Sequence, residues 1–180
     1  ACFAEPDQGP MVRAFLVEAL KNTDLRVRDD LGVHPAFLYA ALLWAPMQRE
    51  LKTCLETEEE PVAAWQKAAS IVLERQSQRV TIPRRFALVV REIWELQDRL
   101  PRSKGARAAR LLTHPRFRAG YDFLCLRARA GQADPALCQW WTEFQESDEG
   151  RQQEMLRPAA GETTATRPRR RRRRKPRSVS

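Results

Sequence analysis

Glycine is scarce in this chain, with seven in 180 residues. That excludes a turn-dense all-β fold, and neither G-x-x-x-x-G-K-[ST] nor G-x-G-x-x-G occurs to cradle a phosphate. Histidine is scarcer still. The two, His34 and His114, each precede a proline at a predicted helix start, where a short polar side chain caps the first turn. No Ser/His/Asp or Cys/His constellation can be assembled from them. The four cysteines, Cys2, Cys54, Cys125 and Cys138, form no C-x-x-C and match no metal spacing. Cys125 and Cys138 sit among apolar helical residues and read as small buried hydrophobes with free thiols, a pattern that suits a reducing cytosol. No apolar run approaches the ~20 residues of a membrane-crossing helix, and no signal peptide is visible, so no membrane partner is expected. The chain opens on Ala1 rather than Met. A piece of a longer protein is expected.

What is present is helical periodicity. Pro6, Gly9 and Pro10 read as an opening loop over 1–10. Val12, Phe15, Leu16, Ala19 and Leu20 then recur at i, i+3, i+4, i+7, i+8, which predicts a helix ending near Asn22 and a polar connector after it. Pro35 suits the first position of the next helix, whose apolar stripe runs from Phe37 to Ala45. Pro46 should break or kink it. Glu56 to Glu60 form an acidic turn without metal-ligand spacing. Pro61, Pro83 and Pro115 open further helices, Ser103 is a candidate cap for a short one, and Gly131 suits a C-terminal cap. Asp134-Pro135 opens the last, with Leu137, Trp140, Trp141 and Phe144 as its apolar stripe. The tandem tryptophans could stack on bases, but their core spacing favours one buried ring and one at the rim. No stretch alternates with period two. The fold class is therefore all-α, a bundle-like array of about seven helices followed by a disordered arginine-rich tail. Residues 1–80 read as a helical body segment, 81–147 as a basic helical region and 148–180 as the tail.

Charge divides the chain further. The net charge is +9, yet residues 1–150 are neutral, with 21 basic and 21 acidic residues. Within them, 67–129 carry fifteen basic against five acidic residues, while both flanks are net negative. A local excess of arginine points to a polyanion, nucleic acid first. Arg84, Arg85 and Arg91 lie on the polar side of one predicted helix, Lys104, Arg107 and Arg110 follow at i, i+3, i+6, and Arg116 and Arg118 begin the next helix, where a helix N-terminus favours an anion. The guanidinium fork grips a phosphate through two hydrogen bonds and stacks on a base. A second basic stretch, Arg169, Arg170, Arg171, Arg172, Arg173, Arg174 and Lys175, is denser but less specific. Such segments order on polyanions, with an affinity that falls steeply with salt. Asp24, Asp29 and Asp30 are close in sequence, but no rigid strand is predicted to hold them as a two-metal site.

Three stretches, KNTDLRVRDDLGVHPAFLYAALLW at 21–44, IPRRFALVVREIWELQDRL at 82–100 and GARAARLLTHPRFRAGYDFLCLRA at 105–128, carry a family resemblance, with WWTEFQ at 140–145 and the arginine-rich end. The chain resembles the C-terminal part of the bacterial poly(A) polymerases, in the nucleotidyltransferase class shared with CCA-adding enzymes, over about 11–175. The resemblance implies a helical body-and-leg region that holds RNA while adenylates are added to its 3′ end, usually promoting RNA decay. It also implies RNA as partner, RNA-decay proteins as further partners, a monomer and a cytoplasmic location. No cofactor is expected in this chain; ATP and Mg²⁺ serve the full-length relatives. Their catalytic head, with G-G-x-x-R-D and metal-binding aspartates, and their ATP-recognising neck should lie N-terminal to residue 1, so no catalytic or metal-binding residue is expected here. Family RNA contacts carry over to Arg84, Arg85, Arg107, Arg116 and Arg118. Where relatives typically have Gly-Lys-Arg, this chain has Gly105-Ala106-Arg107, one positive charge fewer. The rival readings are a stand-alone helical adaptor and a nonspecific DNA-binding protein.

Overall fold

The computed structural model describes residues 9–58, 60–103 and 105–157. All of the regular structure there is helical: α1 (Gly9–Arg28), α2 (Pro35–Leu42), α3 (Trp44–Thr57), α4 (Pro61–Ser77), α5 (Arg84–Arg102), α6 (Ala106–Leu112), α7 (Phe117–Arg129), α8 (Pro135–Glu146) and α9 (Glu149–Met155). These are nine helices among the described residues rather than about seven. The basic tail, including Arg169 to Lys175, and most of the expected opening loop lie outside the described residues, as does Lys104.

Local chemistry explains the boundaries. Helix α1 runs past Asn22 to Arg28 because no glycine or proline interrupts it, and the Thr23 hydroxyl bonds back to Ala19 O at 2.9 Å. It stops where Asp30 turns left-handed, at φ 53°, and Leu31 N reaches back to Arg26 O at 2.7 Å. Aspartate tolerates that conformation better than most residues. The α2–α3 break falls at Leu43, ahead of Pro46, since proline lacks the N–H that would bond Leu42 O. His34 caps α2 as expected, its Nδ1 accepting from Ala36 N at 3.3 Å. Gly131, at φ 75°, closes α7, with Gly131 N on Ala128 O and Gln132 N on Arg127 O.

Besides the end of α1, three expected boundaries move. Ser103 does not cap α6; its hydroxyl donates to Arg99 O at 2.8 Å and finishes α5, while Gly105 takes the cap position with φ 56°. Pro115 lies in the turn before α7 and not in its first position. Residues 149–155 of the expected tail are helix α9, started by Asp148 Oδ1 on Arg151 N at 2.8 Å. Too few apolar residues mark α9 for periodicity to show it. Met155 and Leu156 alone dock it on the core, and Gln152 Nε2 donates to Phe144 O at 2.9 Å.

Two apolar clusters hold these helices. The first joins α1 to α5 around Phe123, whose ring meets the edges of Phe15 at 5.2 Å, Phe37 at 5.8 Å and Trp44 at 5.2 Å. The second joins Leu96 and Leu100 of α5 to α6, α7 and α8 around Trp141 and Phe144. Helices α5 and α7 serve both clusters, and they meet at Gly120. A Cβ there would sit 2.8 Å from Leu96 Cβ, so only glycine lets the two helices approach this closely. Trp141 is fully buried, and its indole donates to Leu100 O at 3.3 Å. Trp140 is half-buried and stacks on Phe144 at 4.9 Å. The tandem tryptophans therefore divide between core and rim as expected.

The cysteines depart from expectation. Cys125 of α7 and Cys138 of α8 form a disulfide, with Cα atoms 5.2 Å apart. Helical spacing showed that each faces the core but not that they face each other across an interhelical turn. Cys54 is a free buried thiol. Burial, with Glu50 adding to it, pushes its pKa up, which leaves it poorly nucleophilic.

Candidate nucleic-acid interface

Arginines in and around the basic region occupy four environments, two of which share Arg116 and Arg118. Arg84 and Arg85, both exposed, open α5, and the Arg85 guanidinium lies 4.9 Å from the Phe86 ring centre. Arg116 sits at the cap of α7 and Arg118 is its second residue. Neither helix has an acidic residue in its first turn. Guanidinium groups placed against the positive end of a helix dipole raise its electrostatic energy, and an anion bound there lowers it again.

The second environment is a groove of about 260 Å³ between the end of α5 and α6. Arg99, Arg102, Arg107 and Arg110 line it with Ser103 and Leu111. Arg102 pairs with Asp98 from its own helix, and Arg110 Nε donates to Ala106 O at 3.3 Å. Of these four, Arg107 and Arg110 were expected from sequence. Arg99 and Arg102 were not, although they repeat the same i, i+3 spacing one helix earlier.

The third is an open cleft of about 240 Å³ between α1, α2, α5 and α7. Its floor is apolar: Phe37, Val89, Ile93 and Ala119. Its rim holds Arg26, Arg116 and Arg118 against one carboxylate, Asp122. Each arginine is braced along one edge. Arg116 Nε donates to Glu92 Oε2 at 3.0 Å, Arg118 Nε pairs with Asp122 at 3.1 Å, and Arg26 Nη2 donates to Gly32 O at 2.9 Å. Burial pushes the Asp122 carboxyl up, and the neighbouring Arg118 only partly opposes this. Because His34 Nδ1 accepts a backbone hydrogen bond, a neutral His34 ring carries its proton on Nε2 at the rim. Sequence reasoning missed Arg26 because it lies in a stretch that is net negative.

The fourth environment is internal. Arg91, expected on a phosphate-facing surface, is half-buried and donates to Ser70 Oγ at 2.8 Å, bracing α5 on α4. Its turn on α5 points it to the neighbouring helix, which charge patterning cannot show. Arg127 goes further. It donates to Gln97 Oε1 at 3.2 Å and Gln132 O at 3.1 Å, and it lies 4.8 Å from the Trp44 ring centre. Desolvation lowers its pKa to about 10, still far above neutral pH, so the guanidinium stays charged. Gln97, the buried polar residue of α5, passes the link on to Gly120 O at 3.0 Å. These two arginines hold the scaffold that presents the others.

Among the described residues, no three His, Cys, Asp or Glu side chains are grouped as a metal site requires. No described helix is long and apolar enough to cross a membrane.

Among the described residues the protein is an all-α scaffold with two arginine-lined recesses. The chain belongs to the family described as Polymerase A arginine-rich C-terminus, whose model matches residues 57–177. It is 39% identical over 182 residues to poly(A) polymerase I of Escherichia coli, a match covering 97% of this chain and 38% of that protein. It is also 39% identical over 157 residues to poly(A) polymerase I of Salmonella typhi, covering 86% of this chain and 34% of the relative. Against poly(A) polymerase I of Haemophilus influenzae the identity is 38% over 159 residues, covering 87% and 34%. The chain thus spans little more than a third of the length of these relatives.

Proposed function

We propose that this chain is the RNA-holding C-terminal part of a polymerase that adds AMP from ATP to RNA 3′ ends. The observation that carries this reading is the clustering of arginines in two recesses of a chain that belongs to this family. The mechanism is electrostatic retention. Guanidinium groups at Arg84, Arg85, Arg107, Arg110, Arg116 and Arg118 take phosphates along the strand, which positions it without reading its sequence. The basic stretch at 169–175 adds sequence-independent affinity. The reacting carboxylates, ATP and Mg²⁺ belong to the part of the relatives that this chain does not span. Residues 81–147 act as the RNA-holding region, on the helical support of 1–80. The protein works as a cytoplasmic monomer, and RNA-decay proteins are further partners.

Filter binding of single-stranded RNA over a salt series tests this. Binding should weaken with rising salt, and R84A/R107A/R116A should lower both affinity and salt slope, by about 0.7 of a slope unit for each phosphate left without its guanidinium. If only deletion of 167–177 matters, the folded arginine surface is merely solvated. If RNA is not retained at all, the helical adaptor takes its place.

A further inference from the structure

The cleft between α1, α2, α5 and α7 differs from a simple phosphate track in having a floor. Phe37 and Ala119 lie half-buried there and present apolar surface, with the buried Val89 and Ile93 packed behind them. An inorganic anion needs no apolar floor, and an apolar ligand gains nothing from three guanidinium groups at the rim. A nucleotide needs both: a flat base to bury and a phosphate to neutralise. At about 240 Å³ the cleft is smaller than the roughly 300–1,000 Å³ of pockets for drug-sized ligands. That leaves room for the base of one nucleotide, with its phosphate outside at the rim, and not for a length of strand. The rim also offers both hydrogen-bonding senses that a base edge requires. Asn22 can donate and accept, and Asp122 accepts. The bracing of Arg116 by Glu92 and of Arg118 by Asp122 fixes their forks before any ligand arrives, which lowers the ordering cost of binding.

We infer that this cleft takes one nucleotide out of a bound RNA strand, seating its base on Phe37 and Ala119 and its phosphate against Arg26, Arg116 and Arg118. This rests on the RNA-holding reading and adds to it a defined stopping point. The groove of Arg99, Arg102, Arg107 and Arg110 would let a strand slide, whereas a seated base holds its register. Burial of the Asp122 carboxyl fits the same picture, because a poorly solvated acceptor gains from the amino group of a base.

The test uses the full chain with two probes: free AMP, and an oligoadenylate carrying a single 2-aminopurine. Unstacking of that base from its neighbours raises its fluorescence. The wild-type chain should bind AMP and brighten the labelled strand. Ala119→Leu, which fills the cleft from α7, should abolish both signals. Arg118→Gln, at a mostly exposed side chain, should weaken AMP binding roughly tenfold, the scale of one charge-assisted hydrogen bond. Thermal melts verify that both variants fold; should Ala119→Leu fail to fold, Arg118→Gln decides alone. If the wild-type chain retains the oligoadenylate but neither brightens it nor binds AMP, the cleft inference is overturned while the RNA-holding reading stands. AMP binding with a silent labelled strand also overturns it, since the cleft then takes a free nucleotide and not one of the strand. If the chain does not retain the oligoadenylate, the RNA-holding reading itself fails.

Discussion

The α5–α6 groove and the α1–α2–α5–α7 cleft are built from the same residue type and present different surfaces. The groove collects four arginines with only Ser103 and Leu111 for company, and no carboxylate lines it. The cleft collects three arginines, each tethered along one edge, over an apolar floor. Two of the groove's four are anchored as well, Arg102 to Asp98 and Arg110 to Ala106 O, each within its own helix. What the cleft adds is the apolar floor, so it selects by shape as well as charge. Burial carries the same side chain to a third role in Arg127, which supports both recesses by tying α7 to Gln97 of α5 and to Trp44 of α3. The difference between the sites thus lies in what the backbone places beside each arginine.

The largest way to break the comparison is to part α5 from α7. Gly120→Val forces a side chain into Leu96, whose Cβ cannot swing away. About 3 kcal/mol of stability should be lost in a urea melt, with both arginine sites disturbed together. A loss under about 0.5 kcal/mol would show that the helices can separate cheaply.

Next is the α7–α8 tie. Cys138→Ser should destabilise by about 2–3 kcal/mol under oxidising conditions, as expected for a short disulfide-closed loop. Reductant should bring the wild-type melting temperature down to that of the variant. A wild-type melt indifferent to reductant would mean that the two thiols stay unjoined in solution.

RNA binding should separate the recesses. R107A/R110A and R116A/R118A each remove two guanidinium groups, so each should lower the salt slope by about 1.4. At fixed salt the cleft pair should cost more affinity, because it leaves Glu92 and Asp122 negative beside the strand. Equal losses would make the two sites equivalent tracks.

The smallest effect sharpens the cleft itself. Burial raises the Asp122 pKa in the folded state above its unfolded value. That contribution to stability is complete below the unfolded carboxyl pKa and is lost as pH rises through the folded one. At neutral pH the buried carboxylate is therefore a net cost. Asp122→Asn should raise the melting temperature by about 1–2 °C at neutral pH and lose the advantage in acid. A lower melting temperature at neutral pH would mean that the Arg118 pair outweighs desolvation.

Much of the scaffold was legible because it obeys local rules. The spacing around Phe15, Ile93 and Trp141 marked the buried faces, and Pro35, Pro61, Gly131 and Asp134 marked helix ends, since caps and helical periodicity act within a few residues. The edges of those faces were less legible. Leu20, Leu42 and Val62 continue apolar stripes yet are about half exposed, at 50%, 51% and 55%. Periodicity shows which way a residue points but not how far the neighbouring helix extends. The candidate site was half legible. Arg107, Arg110, Arg116 and Arg118 were found by charge patterning and do line recesses. Arg26 was hidden by its acidic neighbours, and Arg91 was counted with the surface because the polar side of a helix was assumed to face water, whereas it braces α4 through Ser70.

Composition, periodicity and charge alone mark a helical chain with a local arginine excess between acidic flanks. Those properties are carried by single residues and their near neighbours, so they survive without coordinates. Tertiary structure alone decided which arginines share a recess, which are spent on the core, and that Cys125 meets Cys138. Each of these depends on how α1, α5, α7 and α8 cross, and helix crossing is set by side chains far apart in sequence, as Gly120 against Leu96 shows.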